Sequence, residues 1–275
     1  MTAARRDVVV VTGAGGMGDV CARRLGTAST VVLADVDEGR ARTSAEAMAG
    51  DGFDVLARAV DVSDAASVAA LATEAVEHGP LRAVVHTAGL SPTMASAERV
   101  LVVDLVGTAV VLEQFEPQVG PGTVGVVIAS MAGSMTTIDP ERERALASAP
   151  VADLMGLADE AALASPGGAY GFAKRANQLR VEAMATPWGR RGARLVSISP
   201  GIISTGMGKL ELDSEQSGDV MRQMLDMSPV TRIGTADDIA AAVEWLASPA
   251  ASFVTGTDLR VDGGVTALVR WSFGQ

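Results

Sequence analysis

The chain contains 275 residues, of which 48% are hydrophobic and 20% charged, a composition typical of a folded globular protein. Its formal net charge of −11 argues against nucleic acid and anionic membrane surfaces as partners. The single cysteine cannot form an intrachain disulfide, and no stretch approaches the roughly 18 apolar residues of a membrane span. The apolar segment near the N-terminus ends at a glycine-rich turn, too early for a signal peptide. We therefore expect a cytoplasmic protein.

Short valine-rich runs alternate along the chain with alanine-rich segments of helical period. The near-continuous apolar character of these runs is typical of parallel strands covered on both faces. Strands alternating with helices predict one α/β domain over residues 1–275, a doubly wound parallel sheet with helices on both faces. The predicted strands are residues 8–11, 30–34, 55–60, 83–86, 124–129, 195–199 and 258–261.

Apolar residues at helical spacing mark the faces of two predicted helices. The faces are formed by Phe172, Ala176, Leu179 and Ala183, and by Ile239, Ala242, Val243 and Leu246. Thr235 precedes the second helix and Asp238 follows three residues later, which predicts a variant of the capping box.

Two segments depart from the simple alternation. Residues 136–168 contain a helix start at Asp139-Pro140, a break at Pro150, and a second Ala/Leu-rich stretch ending near Ser165-Pro166. We interpret them as an inserted helical piece. Residues 206–228 are rich in methionine and predict a loop or lid.

A glycine-rich turn, TGAGGMG, follows the first strand and opens a helix whose core face carries Met17, Cys21 and Leu25. Its GxGxxG glycines permit a tight turn and let backbone N–H groups approach a pyrophosphate, which the helix dipole also favours. This strand–turn–helix context predicts a Rossmann-type dinucleotide site. The predicted contacts in the turn are Gly13, Gly15, Gly16, Met17 and Gly18.

The end of the second strand indicates which dinucleotide is bound. Asp35 lies 17 residues beyond Gly18, where a carboxylate accepts hydrogen bonds from the adenosine ribose and repels a 2′-phosphate. The next residues, Val36 and Asp37, are not basic. We therefore predict NAD rather than NADP, with Asp61-Val62 after the third strand at the adenine edge.

Two other residue types carry no predicted chemistry. His78 and His86 have no partners at metal-ligand spacing, so no metal is expected. Cys21 is expected to pack in the core rather than act as a nucleophile.

Five further motifs, in order along nearly the whole chain, resemble the short-chain dehydrogenase/reductase family. They are HTAG (86–89), IASMAG (128–133), YGFAK (170–174), SPGIIST (199–205) and the closing VDGG (261–264). The long interval of 40 residues between Ser130 and Tyr170, together with the C-terminal segment, resembles the 3α-hydroxysteroid dehydrogenase/carbonyl reductase branch.

The resemblance implies an NAD-dependent oxidoreductase acting on a secondary alcohol or ketone. Tyr170 is the implied acid/base, and Lys174, one helical turn later, is expected to favour its phenolate and to bind the nicotinamide ribose. Ser130 would donate a hydrogen bond to the substrate oxygen. Further cofactor contacts are implied at Thr87, Ala88, Gly89, Pro200, Gly201, Ile203 and Thr205.

Two motifs differ from the family pattern. VDLVG places Asp104 where the family carries a catalytic Asn. Asp serves nearly as well if the role belongs to a backbone carbonyl that holds a proton-relay water. If the side-chain amide is needed to stabilise a helix kink, a carboxylate is poorer or must be protonated. HTAG replaces both Asn side chains of the usual NNAG, which is expected to alter the packing behind the site.

The substrate and assembly are predicted more broadly. Met207, Met221, Met224 and Met227 could wrap a bulky apolar substrate such as a hydroxysteroid, or pack as an ordinary amphipathic helix. The family resemblance implies a homodimer or homotetramer, and the 136–168 insertion could cover an assembly face or roof the pocket.

Three alternative functions fit these motifs less well. A non-catalytic dinucleotide sensor on the same fold predicts loss of Tyr170 or Lys174, and both are present. An extended-family epimerase or dehydratase generally carries a larger C-terminal domain. A methyltransferase shares the glycine turn but not YxxxK or VDGG.

Overall fold

A computed structural model describes residues 6–214 and 218–273. Seven strands form one parallel sheet in the order β3-β2-β1-β4-β5-β6-β7. The predicted strands are confirmed to within two residues at each end. They are β1 Asp7–Thr12, β2 Ser29–Asp35, β3 Asp54–Ala59, β4 Leu81–His86, β5 Val124–Ile128, β6 Arg194–Pro200 and β7 Thr257–Val261.

Helices connect the strands and cover both faces of the sheet, which confirms the Rossmann-like α/β fold. Two π-helical segments, Leu101–Val106 and Val269–Phe273, and three 3-10 segments, Glu116–Gln118, Val151–Leu157 and Pro249–Ala251, interrupt or extend them. The α-helices are α1 Gly16–Leu25, α2 Glu38–Gly50, α3 Ala65–His78, α4 Ala97–Val100, α5 Gly107–Phe115, α6 Met131–Met135, α7 Pro140–Ser148, α8 Glu160–Ala164, α9 Pro166–Arg190, α10 Gly206–Leu212, α11 Gly218–Met227, α12 Ala236–Leu246 and α13 Val265–Leu268.

The central strand β1 illustrates why the strands are apolar throughout. Val8 and Val10 belong to the hydrophobic core on one face of the sheet, and Val9 and Val11 to the core on the other. Successive side chains of a strand point to opposite faces, so a strand covered on both sides must be apolar at every position. The second core includes Cys21, which is fully buried, as the sequence predicted.

The capping box predicted before α12 is confirmed, with Thr235 and Asp238 each bonding the other's backbone N–H. On the helix face predicted for α9, Phe172, Ala176 and Leu179 are buried but Ala183 is exposed. That part of the prediction is wrong, because the hydrophobic cluster on this face of α9 ends at Leu179.

The insertion folds against α9. Asp139 caps α7 by accepting a hydrogen bond from the Arg142 backbone, with Pro140 in the first turn, as predicted. After Pro150 the second stretch is a 3-10 segment followed by α8 rather than one helix. Leu146, Leu154 and Ala162 are buried in a common cluster with α9 residues, so the insertion covers a face of that helix.

The topology gathers the functional segments at one edge. The chain crosses from β1 to β2 on one side and later places β4 on the other side of β1. Loops at the carboxyl ends of these strands therefore diverge there, and ligands of open α/β sheets bind at such a switch point.

Candidate active site

The glycine-rich turn is shaped by close approach and by positive φ angles. A Cβ on Gly13 would lie 2.6 Å from the Ala88 backbone nitrogen, and one on Gly18 only 1.9 Å from the Gly13 carbonyl oxygen. Gly15 and Gly16 have φ of +86° and +47°, with no atom nearer than 3.8 Å to the Cβ that each lacks. The turn is thus tightly packed at Gly13 and Gly18 and leaves open space beside Gly15 and Gly16 at the start of α1. This space fits a dinucleotide pyrophosphate.

One cavity brings together most of the cofactor contacts predicted from the sequence. A second cavity adjoins the first and is lined by three further predicted contacts, Pro200, Gly201 and Ile203. Four predicted contacts border both cavities: Met17, Thr87, Gly89 and Thr205. The first cavity is lined by Gly13, Gly15, Gly16, Met17, Gly18, Asp35, Val36, Asp61, Val62, Thr87, Ala88, Gly89 and Thr205.

Asp35 is buried at the end of β2 and is held by backbone donors. Its carboxylate accepts hydrogen bonds from the N–H groups of Ala14 and Asp37, each at 2.9 Å. The Nη1 atom of Arg40 lies 3.5 Å from the Asp35 carboxylate, and Arg40 also borders the cavity. Arg40 was not predicted from the sequence, because basic residues were expected only at the two positions after Asp35. Its position in the first turn of α2 is the feature that could have indicated a residue beside the cofactor cavity.

The other loops of this cavity are fixed by local bonds. Asp61 accepts hydrogen bonds from the backbone and hydroxyl of Ser63, and the hydroxyl bond contributes most to lowering the pKa of that carboxyl. The Thr87 hydroxyl donates to the carbonyls of Thr12 and Gly13, each at 2.9 Å. The ends of β1 and β4 are therefore tied together beneath the cavity.

The second cavity contains all four predicted catalytic residues: Asp104, Ser130, Tyr170 and Lys174. Tyr170 and Lys174 lie one turn apart on α9, with Lys174 Nζ 5.4 Å from the centroid of the Tyr170 ring. Ser130 follows β5 and hydrogen-bonds Tyr170. Burial raises the pKa of Tyr170 above its ordinary value, while the Lys174 ammonium opposes this.

Asp104 makes a direct ion pair with Lys174. The carboxylate Oδ2 lies 3.3 Å from Lys174 Nζ, and both side chains are buried. Asp104 Oδ1 accepts the Leu90 N–H at 2.7 Å, and Lys174 donates to the Ile128 carbonyl at 3.2 Å. Burial alone lowers the pKa of Lys174, but Asp104 and Tyr170 outweigh it and raise that pKa above its usual value. Burial raises the pKa of the Asp104 carboxyl, while the Lys174 ammonium and the Leu90 N–H oppose this. In its ionised form, Asp104 gives the site a negative charge that the amide of an Asn would lack.

The substitution in HTAG builds a buried polar chain behind the site. His86 Nδ1 lies 2.7 Å from the Thr12 hydroxyl, and Nε2 lies 3.1 Å from the Thr108 hydroxyl. Thr108 in turn donates to the backbone carbonyl of Asp104 at 2.7 Å. The altered packing expected behind the site thus consists of an imidazole joined to the main chain of Asp104.

Replacing His86 with Asn is expected to reduce the acid sensitivity of the fold. Burial, with a smaller effect of the Lys174 charge, lowers the pKa of His86 to about 3 from an ordinary 6.5. As the pH falls below 6.5 the unfolded chain takes up this proton first, so stability present at neutral pH is lost progressively toward pH 3. The loss at pH 5 is roughly 2 kcal/mol.

Urea unfolding of wild type and His86→Asn across this pH range measures the effect. The difference in unfolding free energy between the two proteins should shrink, or reverse in favour of the variant, as the pH falls. His78→Asn, at the chain's other and partly exposed histidine, is the matched control. A difference for His86→Asn that is constant with pH would contradict the expectation.

Three of the four lid methionines reach the second cavity. Met207, Met221 and Met224 line it, whereas Met227 is 44% exposed and lies outside it. The inclusion of Met227 was wrong, because it is the last residue of α11 and extends beyond the cavity. Glu211 of α10 also borders this cavity; it was not predicted, because the methionines were the one feature by which the sequence marked this segment.

Family models match the two halves of the chain. The model described as short chain dehydrogenase matches residues 7–139, and the one described as enoyl-(acyl carrier protein) reductase matches residues 153–266. A short-chain dehydrogenase/reductase of Alternaria brassicicola is 36% identical over 266 residues, covering 95% of this chain and 96% of that protein. The chain belongs to the short-chain dehydrogenase/reductase family. Members of this family use nicotinamide dinucleotides, so the glycine-lined cavity fits its cofactor class.

Two further relatives bear on the branch and the fold. The 3-alpha-hydroxysteroid dehydrogenase/carbonyl reductase of Comamonas testosteroni is 28% identical over 186 residues, covering 66% of this chain and 72% of that one. A short-chain type dehydrogenase/reductase structure from Mycobacterium ulcerans matches with a TM-score of 0.76 at 24% identity, covering 99% of this chain and 97% of that one. That structure supports the fold alone.

Residues 6–214 and 218–273 contain neither a membrane-spanning helix nor a metal-binding cluster. None of the helices in these ranges is both long and apolar enough to cross a bilayer. The same residues contain no group of three or more His, Cys, Asp or Glu side chains placed to hold a metal ion.

Proposed function

We propose that this protein is an NAD(H)-dependent oxidoreductase that interconverts a secondary alcohol and a ketone. The observation that carries the proposal is the convergence of Ser130, Tyr170 and Lys174 on a cavity that adjoins the glycine-lined one. When bound, the dinucleotide supplies the hydride acceptor or donor and, in its oxidised form, a positive ring. The residues of the chain must then orient the substrate and handle the hydroxyl proton.

Tyr170 is the proposed proton acceptor in alcohol oxidation and the donor in ketone reduction. A phenol with a pKa near 10 is a weak base at neutral pH, so its phenolate must be favoured by positive charge nearby. Lys174 supplies one such charge, and lowering the pKa by about three units requires roughly 4 kcal/mol of differential interaction. Ser130, hydrogen-bonded to Tyr170 and beside the same cavity, would donate to the substrate oxygen and stabilise the negative charge that develops there.

The proposed preference for NAD over NADP is supported by the burial of Asp35. Asp35→Ser should lower kcat/KM for NAD⁺ by roughly 10- to 100-fold, because a charge-assisted hydrogen bond to the ribose contributes about 1.5–3 kcal/mol. It should also raise the relative use of NADP⁺, since Arg40 would then face a 2′-phosphate without the buried Asp35 carboxylate beside it. Kinetics with both cofactors, together with binding of NADH and NADPH by fluorescence, measures the change.

Asp37→Ser provides the matched control for this substitution. Asp37 carries the same charge and also pairs with Arg40, at 3.7 Å, but its side chain is exposed and does not border the cavity. Equal effects of the two substitutions would assign the preference to net charge around Arg40 rather than to Asp35. A wild-type enzyme that prefers NADP⁺ would contradict the cofactor proposal itself.

The proposed substrate is a bulky hydrophobic secondary alcohol or ketone, such as a hydroxysteroid. Met207, Met221 and Met224 supply a flexible apolar lining on one side of the second cavity. Nicotinamide absorbance with NAD⁺ and a panel of hydroxysteroids and small aliphatic alcohols tests this assignment. Turnover of small alcohols with no steroid of any hydroxyl position accepted would contradict it.

The homodimer or homotetramer implied by the family resemblance stays a prediction. The insertion covers part of one face of α9 with Leu146, Leu154 and Ala162. Ser165, Pro166 and Gly167 at its C-terminal end border the second cavity. We propose that the segment serves both to cover that helix and to close one side of the substrate pocket.

A further inference from the structure

The second cavity has an uneven charge distribution. Among the described residues that line it, the charged side chains are Asp104, Lys174 and Glu211. Asp104 and Lys174 form an ion pair, so their charges largely compensate each other. Glu211 therefore gives the described wall of the cavity a net negative charge, because the other described lining residues are uncharged.

Glu211 is held in place from two directions. It belongs to α10, whose start is fixed by the Thr205 side chain accepting the Gly208 N–H at 3.1 Å. Its carboxylate also takes part in a hydrogen bond with Ser91, a fully buried residue that bonds Thr93 at 2.8 Å. The lid helix is thereby tied to the loop after β4, and the carboxylate cannot simply swing out of the cavity.

The electrostatic influence of Glu211 extends to the proposed reaction centre. It acts, after larger effects, to raise the pKa of Tyr170, so the two groups share one cavity and interact across it. The Glu211 carboxyl lies in a partly buried site, where burial raises its pKa and the hydrogen bond with Ser91 lowers it. Charge–charge interactions are stronger in such a site than in water, so a ligand charge placed there is sensed strongly.

We propose that Glu211 is a specificity-determining residue that excludes anionic substrates and favours uncharged ones carrying a hydrogen-bond donor remote from the reacting carbon. This inference rests on the proposed oxidoreductase function and narrows its substrate class. A carboxylate, phosphate or sulfonate on a ligand in the pocket would be repelled by the Glu211 charge. The Lys174 charge would attract it only weakly, because Asp104 largely compensates that charge. A hydroxyl or amide N–H would instead find an acceptor.

The test compares two ketones of similar shape and different charge, 4-oxocyclohexanecarboxylate and 4-oxocyclohexanecarboxamide. Their kcat/KM values with NADH and their affinities for the protein–NADH complex, by calorimetry, are measured in wild type and Glu211→Gln. Glutamine keeps the shape and an oxygen acceptor for Ser91 but removes the charge. Asp213→Asn is the control, because it removes an exposed negative charge just beyond α10 and outside the cavity.

The wild-type kcat/KM and affinity should be at least tenfold higher for the amide than for the carboxylate. Glu211→Gln should reduce that ratio at least fivefold by raising the kcat/KM and the affinity for the carboxylate. Asp213→Asn should keep the wild-type ratio. A ratio unchanged in Glu211→Gln, or changed equally in Asp213→Asn, would overturn the assignment. Discrimination between the two ketones in binding, with no change of nicotinamide absorbance for them or for any member of the alcohol panel, would support the role of Glu211 while counting against the oxidoreductase proposal. The two failures are therefore distinguishable.

Discussion

Tyr170→Phe is expected to reduce turnover by roughly 10²- to 10⁴-fold, the range associated with loss of a positioned general acid or base. Phenylalanine keeps the ring beside Lys174 and removes only the hydroxyl that hydrogen-bonds Ser130. The fold and the glycine-lined cavity should therefore be unaffected. Nicotinamide absorbance with a substrate found in the panel gives kcat and KM for the variant.

Cofactor binding separates a chemical role from a structural one. The NADH affinity of Tyr170→Phe should stay within about twofold of wild type if Tyr170 acts on the proton, because Lys174 remains in place. Phe172→Leu, at a buried neighbour on α9 that does not line the cavity, controls for packing changes in this helix. A Tyr170→Phe enzyme that retains most of its turnover would contradict the proposed role.

Asp104→Asn is expected to change both the stability of the protein and the ionisation of Tyr170. Removing one partner of a buried ion pair leaves Lys174 uncompensated, which typically costs about 3–5 kcal/mol of unfolding free energy. The Asp104 charge also raises the pKa of Tyr170, so its removal should lower that pKa over the pH range in which Lys174 stays protonated. The same substitution lowers the pKa of Lys174, because burial then acts on it without the Asp104 charge. A shift of about one unit corresponds to roughly 1.4 kcal/mol.

The composition of the chain makes this shift directly measurable. Tyr170 is its one tyrosine, so the phenolate absorbance of the folded protein reports the titration of that residue alone. The titration midpoint should fall in Asp104→Asn, and the acid limb of kcat/KM for alcohol oxidation should move to lower pH with it, because the phenolate is the proposed base. Denaturant unfolding measures the stability change in parallel.

Asp258→Asn serves as the control for burial of a carboxylate in general. Asp258 lies on β7, accepts hydrogen bonds from Ser197 and Ser199, and does not border the active-site cavity. Its substitution should alter stability without moving the Tyr170 titration. An unchanged midpoint in Asp104→Asn would mean that the Asp acts as a simple replacement for Asn, through its backbone carbonyl.

The positions of the strands and of the glycine turn could be predicted from the sequence because both depend on local patterns. A strand buried on both faces must be apolar at each position, as in residues 8–11, and this character is visible without knowing its neighbours. The turn at Gly13 and Gly18 likewise depends on residues that lack a Cβ. The pairing of Tyr170 with Lys174 follows from one turn of helix.

The electrostatic contacts of the site depended on residues that are distant in sequence. Asp104 meets Lys174 across a separation of 70 residues, and His86 joins Thr12 to Thr108 across the sheet. Glu211 borders the cavity only because the lid helix folds back toward the loop that carries Ser91. The periodicity of hydrophobic residues contains no information about contacts between side chains that are far apart in the sequence.

The sequence by itself thus determined the parallel sheet, its helical cover and many of the residues that line the two cavities, but not Arg40 or Glu211. The tertiary structure alone decided which of them carry compensated charge, that the insertion covers α9, and that Met227 and Ala183 are exposed. The physical reason is that local propensity and spacing are properties of a short segment. Burial and charge pairing are properties of the surfaces that distant segments bring together.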